Sequence, residues 1–123
     1  MSELEPVDVM YDEAVAKQRS GDMDAAIEML RQLLAKFPND ALAHNALSVY
    51  YSRAGKIDQA IEHAKRVCEI DPEDTFGYTV LSTLCIRAGR REEAEDALMQ
   101  ARDKMIAARI KAIQEQQDKN AGA

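Results

Sequence analysis

Residues 41–74 read ALAHNALSVYYSRAGKIDQAIEHAKRVCEIDPED, and this stretch decides the fold. Its first part, about Ala41 to Ala54, spreads Leu42, Ala46, Leu47, Val49, Tyr50 and Tyr51 around much of a helix. Such a distribution suits a helix packed on more than one side. Gly55 follows and can take the left-handed conformation that ends a helix without a Cβ penalty. Asp58 then opens a second helix, where a carboxylate meets the positive end of the macrodipole. Ile57, Ala60, Ile61, Ala64, Val67 and Cys68 recur there at three- and four-residue steps. That helix stops before Asp71-Pro72, because proline disfavours helical geometry in the residue before it.

The same unit occurs upstream and downstream. Gly21, Gly55 and Gly89 are evenly spaced, and the same interval separates Ala26, Ala60 and Ala94, and Pro38 from Pro72. Ala14, Ser48 and Ser82 keep step, and so do Arg19, Arg53 and Arg87. Self-similarity at a fixed period marks a repeat architecture. The chain divides into a tail at 1–6, repeats at 7–40, 41–74 and 75–105, and an extension at 106–123. Repeat three breaks the pattern: Ile106 stands where a third proline would fall, and neither Gly nor Pro interrupts Arg91 to Ala121. A final helix over Arg91–Asp118, about twice as long as one repeat helix, is therefore expected, with Gln114–Ala123 fraying at its end.

Charge and composition narrow the function. A net charge of −6 lacks the cationic footprint that nucleic acid or an anionic membrane requires. Met1 to Met10 carries no basic targeting region, and no apolar run approaches the roughly 18 residues of a spanning helix. The expectation is a soluble, cytoplasmic protein. Cys68 and Cys85, without metal-type spacing, read as reduced, buried small hydrophobes. His44 and His63 fall on different helices, outside any metal-ligand spacing. The glycines are isolated helix breaks rather than a phosphate-cradling loop, and the acidic pairs sit near helix starts. No catalytic, metal or cofactor-binding residue is assigned, and the chain does not read as an enzyme.

With its glycine, alanine and proline positions in phase, the chain resembles three tetratricopeptide repeats over about Val7 to Met105. Leu47, Leu81 and Tyr51 match large core positions of that family; His44 and Met10 replace frequent aromatics, and Glu13 replaces a leucine in repeat one. The resemblance implies an all-α, right-handed α-solenoid of three helix-turn-helix units with an extended last helix. It also implies a concave groove lined by the first helices, with no enzymatic activity. Site residues carried over are Tyr11, Val15 and Arg19, then Leu42, Asn45, Val49 and Arg53, then Phe76, Thr79, Val80, Thr83 and Arg87. Ala46, Ser52 and Ile86 occupy groove positions by the same correspondence. An apolar strip with a polar rim is a usual mark of a protein-interaction surface. Arg19, Arg53 and Arg87 admit two readings: stabilisation of a helix C-terminus, or capture of an acidic peptide group. The family's clamp for acidic chaperone tails needs Lys, Asn and Arg where this chain has Tyr11, Val15, Ala46, Phe76 and Val80. An apolar or amphipathic peptide is the better match.

The extension adds a separate expectation. Ile106, Ile110 and Ile113 form a stripe that either folds back over the last repeat or meets another chain as a homodimer. Three functions follow: a protein-interaction adaptor or scaffold using the groove, a self-assembling structural protein using the last helix, or a small chaperone for an export substrate.

Overall fold

The computed structural model describes residues 5–122. Six helices follow one another: α1 (Pro6–Arg19), α2 (Met23–Lys36), α3 (Ala41–Arg53), α4 (Ile57–Ile70), α5 (Thr75–Arg87) and α6 (Arg91–Ala121). Each helix packs on the next in the chain, which is the connectivity of an α-solenoid. Residues 1–4 of the expected tail lie outside the described residues. Pro6 does not belong to that tail, because it is the first residue of α1, where a missing N–H costs nothing.

Three identical joints make the hairpins. Gly21, Gly55 and Gly89 have φ of 92°, 79° and 74°, the left-handed region that side chains resist. After Gly55, Lys56 N–H donates to Tyr51 O at 2.8 Å; Asp22 and Arg90 make the same six-to-one bond to Lys17 O and Cys85 O at 3.0 and 2.8 Å. Lys56 and Arg90 share φ/ψ of −94°/69° and −93°/69°. Phe37 and Asp71, each preceding a proline, share −128°/74° and −128°/76°. The second helices begin one residue earlier than the acids at 58 and 92 suggest, at Ile57 and Arg91.

Between the helices, small residues let backbones approach: Ala26 and Ala60 are fully buried and Ala94 nearly so. One core cluster joins Ile27, Leu30 and Leu33 of α2 to Ala43, Leu47 and Tyr50 of α3. A second joins Ile61 and Ala64 of α4 to Leu84 and Cys85 of α5. Tyr51 touches both clusters. Of the expected large core residues, Leu47 is buried while Leu81 and Tyr51 are only partly so. Cys68 and Cys85 are free and buried, and desolvation pushes the Cys68 thiol up to about 11. An ion network ties α4 to α6: Glu93 bonds Arg90 and takes Lys65 Nζ at 3.2 Å, while Arg90 reaches Asp58 at 3.6 Å.

The last helix corrects the expected ending. It runs 31 residues to Ala121 without fraying from Gln114, and Ala123 lies outside the described residues. Gln, Glu and Lys are good helix formers, and Gln116 Nε2 donates to Asn120 Oδ1 at 3.3 Å one turn on. No bend folds it back over the last repeat; from Ile106 to Gly122 every residue is exposed.

Candidate functional site

Consecutive first helices α3 and α5 leave an open cavity of about 370 Å³ between them. Eight expected site residues meet there: Val49, Ser52 and Arg53 from α3, and Phe76, Thr79, Val80, Thr83 and Arg87 from α5. The helical step explains the grouping. Residues 76, 79, 80, 83 and 87 fall on one face, and that face opposes 49 and 53. Thr79 and Thr83 donate their hydroxyls to Thr75 O and Thr79 O at 3.3 and 3.0 Å, so their contribution to the wall is largely methyl surface.

One end of this cavity is cationic. Arg87 Nη1 donates across from α5 to Ser52 Oγ on α3, and Arg53 lines the same cavity. Among the described residues neither arginine forms a salt bridge to a carboxylate, although several other arginines do. Helix-end stabilisation accounts for a cation in each last turn. It does not account for a guanidinium that reaches into the adjacent repeat.

Other expected site residues are placed differently. Leu42 and Asn45 share a second depression with Phe76, at the opposite end of α3. Tyr11 packs partly buried against the first core cluster, and that burial raises its phenol pKa. Val15 is half-buried and Arg19 exposed, and none of these three lines the cavity. Ala46 is a correction: it is 7% exposed and belongs to the first core cluster, where α3 packs with α1 and α2. Ile86 is another. It lines the open end of the solenoid, where a further repeat would pack, and is 62% exposed.

Ser48 and Leu84 also line the cavity and were not expected there. Their signal lay in helical spacing, since each neighbours an expected wall residue on its own helix. The buried Ser48 Oγ has no hydrogen-bond partner among the described residues.

A histidine pair lies in the α3–α4 hairpin, away from the cavity. His44 Nε2 is 2.8 Å from Pro38 O, so it donates there and leaves its Nδ1 bare to accept His63 Nδ1–H at 3.0 Å. Tyr51 stacks on His63 at 5.6 Å. Among the described residues no group of three His, Cys, Asp or Glu could hold a metal ion, and no helix is long and apolar enough to cross a membrane.

Stacked helical hairpins with a walled, partly apolar trough along their first helices define a helical-repeat interaction module. The sequence profile described as "Tetratricopeptide repeat" matches residues 11–75, more than half of the chain, and the protein belongs to that family. Structural neighbours agree on the fold. A crystal structure of MamA superposes with a TM-score of 0.75 at 24% identity, covering 83% of this chain and 60% of that one. The second TPR of Spaghetti (RPAP3) bound to HSP90 peptide SRMEEVD gives 0.69 at 16% identity, covering 79% and 90%. The Sgt2 TPR domain from Aspergillus fumigatus gives 0.71 at 19%, covering 83% and 68%. This chain thus spans about 60% of the length of the MamA structure. No curated protein matches the sequence.

Proposed function

We propose that the cavity between α3 and α5 binds an amphipathic peptide segment of a partner protein, with an apolar side chain seated against Val49, Phe76 and Val80 and acidic side chains paired with Arg53 and Arg87. The observation that carries this reading is the pair of guanidiniums without a carboxylate partner beside an open apolar wall. The second TPR of Spaghetti (RPAP3), solved with the peptide SRMEEVD, supports a peptide ligand for this fold. The acidic character of that peptide suits the arginines. The clamp positions at Tyr11, Val15, Ala46, Phe76 and Val80 nevertheless hold none of the required polar residues, so here the apolar contact dominates. The site then works as a non-enzymatic adaptor or scaffold.

The test uses fluorescent pools of short N-acetylated, C-amidated peptides with apolar positions flanked either by Glu or by Gln. Wild type should bind the Glu pool at least about tenfold more tightly than the Gln pool. Arg53→Gln/Arg87→Gln should erase that difference, and added salt should reduce it. Val49→Ser/Phe76→Ser should lose binding of both pools, while Glu62→Ser/Glu69→Ser, outside the cavity, keeps it. Equal losses from the last two folded variants would count against the groove.

A second reading rests on its own observation. Ile106, Ile110 and Ile113 are each 51% exposed on an uninterrupted helix. Burying one isoleucine is worth roughly 1.5–3 kcal/mol, which favours self-association through this stripe. Light scattering of wild type against Ile106→Glu/Ile110→Glu/Ile113→Glu tests it; a wild type that stays monomeric at high micromolar concentration would sink it.

A further inference from the structure

The last repeat leaves Ile86 and Leu98 exposed on its outer side. Leu30, Ala64 and Leu98 occupy the same place in successive repeats. Leu30 is fully buried and Ala64 is 2% exposed, because α3 and α5 cover them. Leu98 is 48% exposed. Beside it Ile86, Ala94 and Glu95 line one depression, and Ala101, Met105 and Ile106 line another; Leu98 lines both, and the two together are called the trough here. Its rim has turned polar. Glu95 and Arg102 stand where earlier repeats carry Ile27 and Ile61, or Leu34 and Cys68.

The same chain exposes an element of the size this trough lacks. At 31 residues, α6 is more than twice as long as α2 and α4, which have 14 each. The first helices α1, α3 and α5 have 14, 13 and 13. The overhang is therefore long enough to stand in for one first helix. Being continuous with the helix that forms the trough, it cannot turn back into it, because no Gly or Pro allows the bend. Two copies can satisfy both surfaces at once. Charges agree with this: among the described residues, Arg102 and Arg109 at the trough, and Glu115 and Asp118 on the overhang, form no salt bridges within the chain.

We propose that two copies exchange overhangs, each laying Ile110 and Ile113 into the partner's trough, whose own wall includes Ile106, where a fourth repeat's first helix would pack. This rests on the self-association reading and names the surface that the stripe meets. The arrangement is an isologous two-fold pair in which every contact occurs twice.

Leu98→Glu, in the trough, and Ile110→Glu, on the overhang, separate the possibilities by light scattering at high micromolar concentration. Wild type should have twice the chain's mass, and each variant, with its helical circular dichroism intact, should raise the dimer Kd at least about tenfold. Should Leu98→Glu fail to fold, Arg102→Glu on the rim serves in its place. A Leu98→Glu protein that remains dimeric while Ile110→Glu does not would overturn the trough and leave self-association standing. A monomeric wild type would overturn both readings.

Discussion

Ser48 buries a hydroxyl that finds no partner among the described residues, at a position where repeat one has Ala14. Removing an unsatisfied buried polar group costs little or stabilises. Ser48→Ala should therefore melt at the same temperature as wild type or higher, by up to about 1 kcal/mol; a clear loss would show that the hydroxyl has a partner in solution. His63 makes a pH-dependent prediction. Burial, followed by the neighbouring His44, lowers its pKa below the ordinary value of 6.5; Glu62 opposes and Arg31 adds to the effect. The unfolded chain then takes up a proton near pH 6.5 before the folded chain does. Stability from this residue is complete above that pH and declines as the pH falls towards the folded value. His63→Gln should flatten the fall in melting temperature between pH 7.5 and 5. Glu93 acts in a lower window: Arg90 and Lys65 hold its carboxyl at about 2, so its contribution is present above about 4.5 and disappears as the pH falls through 2. The recurring glycines, alanines and arginines are legible in sequence because each repeats at one interval. The His44–His63 contact is not, since it depends on the angular phase of two helices that only the hairpin at Gly55 brings level.

Within the helices, two glycines of one chain should respond oppositely. Gly77 lies inside α5, and a Cβ there would meet Cys68 Sγ at 3.5 Å and Val67 Cγ1 at 3.6 Å, ordinary contact distances. Gly77→Ala should stabilise by roughly 0.5–1 kcal/mol, read as a higher thermal midpoint. Gly55 has open space around its Cα but a φ of 79°. Gly55→Val should lower the midpoint, because a β-branched residue at that joint costs about 1–2 kcal/mol or more. Ala60→Leu should lower it too, overpacking a fully buried crossing by about 1–3 kcal/mol. At this scale the hairpin joints were readable from Gly, Pro and apolar spacing. α6 reaches further than the polarity of its last residues suggests, because Gln, Glu and Lys hold a helix well. The family register marks Ile86 as a groove position, yet in the last repeat that place faces the open end.

Across the whole molecule, contacts run chiefly from each helix to the next, so stability is close to a sum of local terms. α1 buries only Ala14 completely, whereas α3 buries six residues. Leu30→Ala, at a fully buried site, should cost about 2–5 kcal/mol. Hydrogen exchange in that variant should accelerate first in α1 and α2 and least in α5 and the start of α6. Uniform acceleration through all six helices would instead show one cooperative unit. The joints described above carry a further consequence. Phe37 and Asp71 hold almost the same pair of backbone angles, and Lys56 and Arg90 agree as closely. The chain therefore leaves residue 74 heading as it left residue 40. A tandem copy of residues 41–74 spliced in after Asp74 would meet matched ends on both sides, so the protein has the properties of a ruler whose graduations can be added without redrawing the scale.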